Sequence, residues 1–222
     1  GTFTMGSPTS EAGREATKEQ EHNVTLTKGF YLGKYEVTQA QYEAVTGLNP
    51  SEFNATGNGK RPVEKVSWTE AVAFCTQLTT QEQNAGRLPA GWAYVLPTES
   101  QWEYACRAST NTAYSWGSTI ASSSANYSSS GIGQTRDVGQ YAANSWGFFD
   151  MHGSVREWTM DWYQKEYPTG NPVIDPTGPA SGSHRVNRGG SWNYGGPSLR
   201  SAKREYSPPS ASTTAIGFRL AF

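Results

Sequence analysis

Residues Leu96–Arg107 read "LPTESQWEYACR". Thr98 and Gln101 have the spacing of a reciprocal helix N-cap, and Trp102, Ala105 and Cys106 then fall on one helical face. The same start signal recurs upstream. Thr38 with Gln41 opens a helix over 39–46 that Gly47 is suited to stop. Ser67 with Glu70 opens a longer one, to about Gln83, in which Ala71, Phe74, Cys75 and Leu78 repeat at i, i+3, i+4 and i+7. The aromatic-rich "GFYLGKY" (29–35) predicts a short strand before the first helix. Three capped helices thus occupy the first half of the chain.

From Ser109 onward the helical period disappears and Gly, Ser, Asn, Pro and Trp dominate. The strand candidates there are "AYSWG", "HRVNRGGSW" and "IGFRLAF", separated by long loops. Unstructured connections beyond ~12–15 residues are uncommon unless they serve a function. The second half is therefore where binding or chemistry is expected. "SSSANYSSSGIG" has a linker's composition, but the Trp-rich segments on both sides make it a surface loop inside one domain.

The bulk numbers agree. A chain of 222 residues suits one large domain. Apolar residues make up only 35%, yet 8 Trp, 12 Tyr and 8 Phe supply large buried areas. With 18 basic and 19 acidic residues the net charge is −1, so no overall field favours nucleic acid. No run approaches the ~18 apolar residues of a membrane span, and "GTFTMGSPTS" at the start has no leader pattern. Cys75 and Cys106, with scattered His22, His152 and His184, have no metal-ligand spacing. No feature of the sequence sets an oligomeric state.

Seven pieces in order, "FTMGS" (3–7), "GKYEVTQAQY" (33–42), "RPVEKVSW" (61–68), "LPTESQWEYACR", "WGFFDMHGSVREW" (146–158), "RVNRGGSW" (185–192) and "IGFRLAF" (216–222), resemble the formylglycine-generating enzyme (sulfatase-modifying factor) family. Each alone is weak; the set is specific and spans almost the whole chain. The resemblance implies an α+β fold, a variant of the C-type lectin fold with little regular secondary structure, as a single domain over 1–222. It also implies structural calcium.

The family's oxidation of a sulfatase cysteine needs a thiol pair and copper, because a thiolate is the soft ligand and redox group. The first thiol stands three positions after the Ser of "GGS", which here is Tyr194, and the second falls near Leu199. No cysteine occurs from Asn187 to Phe222, so no copper is expected. Cys75 and Cys106 match the family's structural cysteines. The histidine-rich helical domain of the iron-dependent sulfoxide synthases is absent from this chain.

The family's calcium loop maps to Asp150, Gly153, Val155 and Glu157, two carboxylates and two carbonyls suited to a hard cation. Arg156 replaces a family Trp, leaving as alternatives a weakened ion or an ion-free turn with a salt bridge to an Asp or Glu. Asn126 matches the start of a second family calcium site. Glu64, Glu99, Glu103 and Asp161 admit a paired-carboxylate reading, set against caps and ion pairs to Arg107, Arg188 and Arg204.

Between the framework pieces of 185–222 lie Trp192, Asn193, Tyr194, Gly195, Gly196, Ser198, Tyr206, Ser207, Ser210, Ala211, Ser212, Thr213, Thr214 and Ile216. Apart from Trp192 and Tyr206, these are residues reachable from an asparagine codon by changing adenines alone. That is the signature of diversity-generating retroelements, which target this face of lectin-fold variable proteins; ordinary loop composition is the alternative. Tyr supplies rigid amphipathic contact area and Ser, Gly and Asn adaptable hydrogen bonds, as in antibody paratopes. The sequence therefore predicts a non-catalytic protein that presents 185–222 to a protein or glycan ligand, at the cell surface or secreted. The alternative is an enzyme or accessory factor of the family working without the cysteine pair, motivated by Ser191, Arg200 and Arg204.

Overall fold

The computed structural model describes residues 1–54, 59–167 and 170–222. All three predicted helices form: α1 (Gln39–Thr46), α2 (Trp68–Asn84) and α3 (Glu99–Arg107). Each begins with a reciprocal capping box, from Thr38, Ser67 and Thr98 respectively. Gly47 ends α1 at φ 75°, a left-handed conformation that costs glycine little.

Among the described residues, seven short strands make two sheets. β1 (Thr2–Met5) pairs antiparallel with β2 (His22–Thr25), and β4 (Val173–Ile174) adds in parallel to β2. The second sheet has the order β6-β5-β3-β7, with β3 (Arg156–Trp162) and β5 (Arg185–Arg188) central, and β6 (Glu205–Ser207) and β7 (Ile216–Gly217) at the edges. Only β3 and β7 run parallel within it.

Several strand expectations are corrected here. "GFYLGKY" forms no continuous strand; it follows the C-terminus through separate bonds, Tyr31 N–H to Phe222 O and Gly33 N–H to Leu220 O, with one bridge at Leu32–Ala221. "AYSWG" closes only a Tyr114–Gly117 bridge. The longest strand, β3, carries no alternating signal because almost every residue in it is buried on one face or the other.

The main core packs α1 and α2 on one face of the second sheet, around Tyr42, Phe74, Trp158, Ile216 and Phe218. Tyr42 stacks on Phe74 at 5.3 Å, and Phe218 meets both rings edge-on. α3 covers the other face with Trp102, Ala105 and Cys106 against Met151. Arg185 lies between the indoles of Trp68 and Trp162, 3.6 and 3.4 Å from their centroids, and so ties the start of α2 to the end of β3.

With few aliphatic residues, much of the interior is ionic. Glu103 on α3, fully buried, binds Arg107 one turn on and Arg188 from β5. Arg188 also donates to the carbonyls of Ser201, Ala202 and Lys203. Glu99 holds Arg204 through two bonds of 2.7 and 2.8 Å. Glu99, Glu103 and Asp161, read as either hydrolytic pairs or structural partners, are thus structural partners, Asp161 capping α3 through the Glu99 N–H at 2.7 Å. Glu64 makes no ion pair among the described residues and accepts the Phe53 N–H at 2.8 Å.

Removing one member of a buried pair leaves an uncompensated charge, at a cost of about 3–5 kcal/mol. Arg188→Met should lower unfolding free energy by that order in urea denaturation. Lys65→Met, at an exposed pair, should change it by less than about 1 kcal/mol.

Candidate ligand-binding face

Two loops of the C-terminal region meet on one side of the domain. In the first, Trp192 N–H donates to the Ser154 carbonyl, the Ser191 hydroxyl binds Asn193 Oδ1 at 2.8 Å, and the Tyr194 carbonyl accepts Ser128 N–H. In the second, the Pro209 and Thr213 carbonyls accept the N–H groups of Trp68 and Lys65. Trp192 joins them: its Nε1–H donates to the Thr214 carbonyl at 2.9 Å, while its ring meets Phe53 edge-on at 5.4 Å. Backbone groups tie both loops to the scaffold and the Trp192 indole links them, so the loop shape depends little on the remaining exposed side chains.

Of the predicted face, Asn193, Gly195, Ser210, Ser212 and Thr213 are exposed, and Trp192, Tyr194, Ser198, Ser207, Ala211 and Thr214 are half-buried. Three residues do not belong. Ile216 is wholly buried in the main core and pairs with Arg156. Gly196 is buried, and a side chain there would strike Ile120, 2.7 Å from the position of a Cβ. Tyr206 is exposed but stacks on Tyr163 at 3.9 Å, with the Lys18 ammonium over its ring. Ser207, one residue on, turns to Asn187 on the opposite face of the sheet, where Arg156 and Tyr194 lie. Strand alternation therefore separates Tyr206 from Tyr194.

The two thiol positions of the resemblance hold Tyr194, packed on a cluster with Tyr114 and Ala125, and fully buried Leu199. Cys75 and Cys106 are free and buried, and burial pushes both thiols up to about 12. Neither can supply a thiolate near neutral pH. Arg200 and Arg204 are also engaged, Arg200 by Glu11 and Glu19 and Arg204 by Glu99.

The calcium loop differs from expectation. Glu157 gives both oxygens to Arg219, at 2.6 and 2.8 Å, and one of them also accepts Trp102 Nε1–H. The ion pair of Glu157 is thus made with Arg219, not Arg156. Asn126 is a brace: its amide donates to the Gln134 carbonyl, its Oδ1 accepts the Ser130 hydroxyl and its carbonyl accepts Ser154 N–H. Gly153, at φ 96°, lies so close that a Cβ would be 2.3 Å from that carbonyl.

Sequence reasoning missed Glu36. It is 1% exposed, and neither carboxyl oxygen has a partner in good hydrogen-bond geometry, the Ser154 hydroxyl being its polar neighbour. Burial first, then the charges of Asp150 and Glu157, raise its pKa well above the carboxylate range. Asp150 is raised in the same way, with Oδ2 accepting Gly139 N–H. Only when all three are ionised do Glu36, Asp150 and Glu157 exceed Arg219 by two negative charges, a state that a hard divalent cation beside the orphaned Glu36 oxygens would favour. Among the described residues no three His, Cys, Asp or Glu side chains form a closed metal cage, so carbonyls would have to complete the shell.

A cavity of about 320 Å³ lies away from these loops, between α3, β3 and β4, and is lined by Asp161, Tyr167, His22 and Arg204 among others. Asp161 is pushed up to about 7 by burial and then by the neighbouring Glu99 carboxylate. Its folded pKa exceeds the unfolded value near 4, so stability falls as pH rises from about 4 to about 7. Asp161→Asn should therefore stabilise the fold at about pH 8 and have little effect at about pH 5, read from urea midpoints at both pH values.

The family description "sulfatase-modifying factor enzyme 1-like domain" matches residues 1–222. Formylglycine-generating enzyme of Mus musculus is 32% identical over all of this chain and 73% of its own length. Among solved structures, Treponema denticola variable protein 1 superposes with a TM-score of 0.87 at 32% identity, over 100% of this chain and 91% of that one. PvdO from Pseudomonas aeruginosa superposes at 0.85 with 25% identity, over 100% and 90%.

Proposed function

Because the chain belongs to the sulfatase-modifying factor enzyme 1-like domain family yet has Tyr194 and Leu199 at the thiol positions, we propose that it is a non-catalytic ligand-binding protein. Its binding face is formed by Trp192–Gly195 and Ser198 with Ser210–Thr214, flanked by Phe53. The observation that carries this reading is the Trp192–Thr214 bond, which makes one continuous face of the two cysteine-free loops. A protein or glycan is the ligand, and the address is the cell surface or the extracellular space.

The likeness to a protein named as variable supports diversification of these loops. So does the physics: the exposed positions project from a backbone fixed by buried groups, while the corrected Gly196 and Ile216 are positions where variation would disturb packing. The enzyme or accessory reading loses its motivation, since Arg200 and Arg204 are held in ion pairs and Ser191 is fully buried.

Replacing Asn193, Tyr194, Ser212 and Thr213 together with Ala should abolish binding of peptides selected from a display library on the wild-type chain, with the melting temperature lowered by only a few degrees. Undiminished binding would show that the face lies elsewhere. A cysteine-containing sulfatase peptide incubated with the protein, copper and oxygen should yield no formylglycine by mass spectrometry.

Glu36 and Asp150, with carbonyls of the Gly153–Val155 turn, would hold structural calcium, which here supplies charge balance rather than chemistry. Millimolar calcium should raise the melting temperature, because a ligand that binds only the folded state stabilises it. Glu36→Gln should remove that rise. An equal rise in the variant would place the ion elsewhere.

A further inference from the structure

Most buried cations of this fold have a carboxylate. Arg107, Arg188, Arg200, Lys203, Arg204 and Arg219 each contact at least one. Arg156 is 8% exposed and has none within 4 Å among the described residues. Its Nη1 makes one long hydrogen bond, 3.4 Å, to Asn187 Oδ1. Its Nε is buried with no partner, and Nη2 makes no hydrogen bond yet keeps contact with solvent. The ring of Tyr194 lies over the guanidinium, 5.2 Å from Cζ.

No internal acid is placed to complete the pair. Glu157, the next residue along β3, points to the opposite face and is taken by Arg219. Glu205, the register partner of Asn187, is held by Lys203. A desolvated guanidinium without a counter-charge works against stability, and such local violations cluster where a protein meets its ligand.

We propose that Arg156 anchors a carboxylate of an acidic protein partner on the face described above. This rests on the binding reading and names its ligand chemistry. The free edge, Nε with Nη2, is the side of the guanidinium that grips a carboxylate through two parallel bonds. With Arg156 only 8% exposed and the Tyr194 ring over its guanidinium, the anchor suits an Asp or Glu carboxylate carried on a short, slender stem. A carboxylate borne directly on a sugar ring has no such stem. Arg156 also lies outside residues 185–222, so a face diversified in its loops keeps this one fixed charge and a constant preference for acidic partners.

The test follows the Arg156 Nε–H signal by NMR in the full chain, assigned through Arg156→Lys, during titration with blocked glutamate, blocked glutamine or glucuronate. Glutamate should give a saturable shift at least about tenfold tighter than either of the others, a difference of about 1.4 kcal/mol. Equal response to glutamine, or none to glutamate, overturns the carboxylate; a preference for glucuronate overturns the protein source.

Peptides selected on the wild-type chain should be rich in Asp and Glu and bind Arg156→Gln at least about tenfold more weakly. Arg156→Gln breaks no ion pair, so its melting temperature should stay at or above that of the wild type, which separates lost binding from lost folding. If those peptides lose affinity for the loop variant but not for Arg156→Gln, the Arg156 anchor falls and the binding face stands. If both variants bind them fully, both readings fall.

Discussion

The Arg188 guanidinium sits in a fully buried pocket, and a charge there is tolerable only if it is balanced and most of its donors are satisfied. Glu103 of α3 balances it, and the carbonyls of residues 201–203 accept the other bonds of Nη1 and Nη2, which leaves Nε alone without a partner. One side chain of β5 thereby fixes α3, the central strand pair and the chain that leaves the first loop. Arg204 on Glu99 and Arg200 on Glu19 repeat the device on either side. The C-terminal region hangs from this ionic frame, so its loops can present side chains to solvent without holding the fold together.

That division explains how the scaffold keeps its shape without the family's thiol pair. The thiol positions lie outside the ionic frame, one in the loop at Tyr194 and one in a packed cluster at Leu199, so these residues stand there without touching an ion pair. The two cysteines that remain are packed into the frame, where burial keeps them protonated. Arg156 is an exception of another kind, a framework cation left without its counter-charge beneath a loop.

Local rules carried the first half of the chain. Thr38, Ser67 and Thr98 announce their helices because a cap is decided within four residues, and all three formed as read. The strands were harder. β3 is buried on both faces and has no alternation to detect, while β1, β2, β4 and β7 are only two to four residues long and exist through their partners. In the predicted binding face, exposure could not be read from residue type: Ile216 and Gly196 resemble their neighbours in codon chemistry but are fixed by core contacts.

By itself the sequence determined the helix starts, the family and the absence of a thiol pair, since each depends on residues adjacent in the chain or on composition. Only the tertiary structure decided that Arg219 rather than Arg156 meets Glu157, that Glu36 stands beside Asp150 with its oxygens unmatched, and that Tyr206 and Tyr194 lie on opposite faces. Those outcomes depend on which distant segments share a buried volume. Pairing of charges and the facing of a strand are set there, by desolvation and packing, and no local pattern records them.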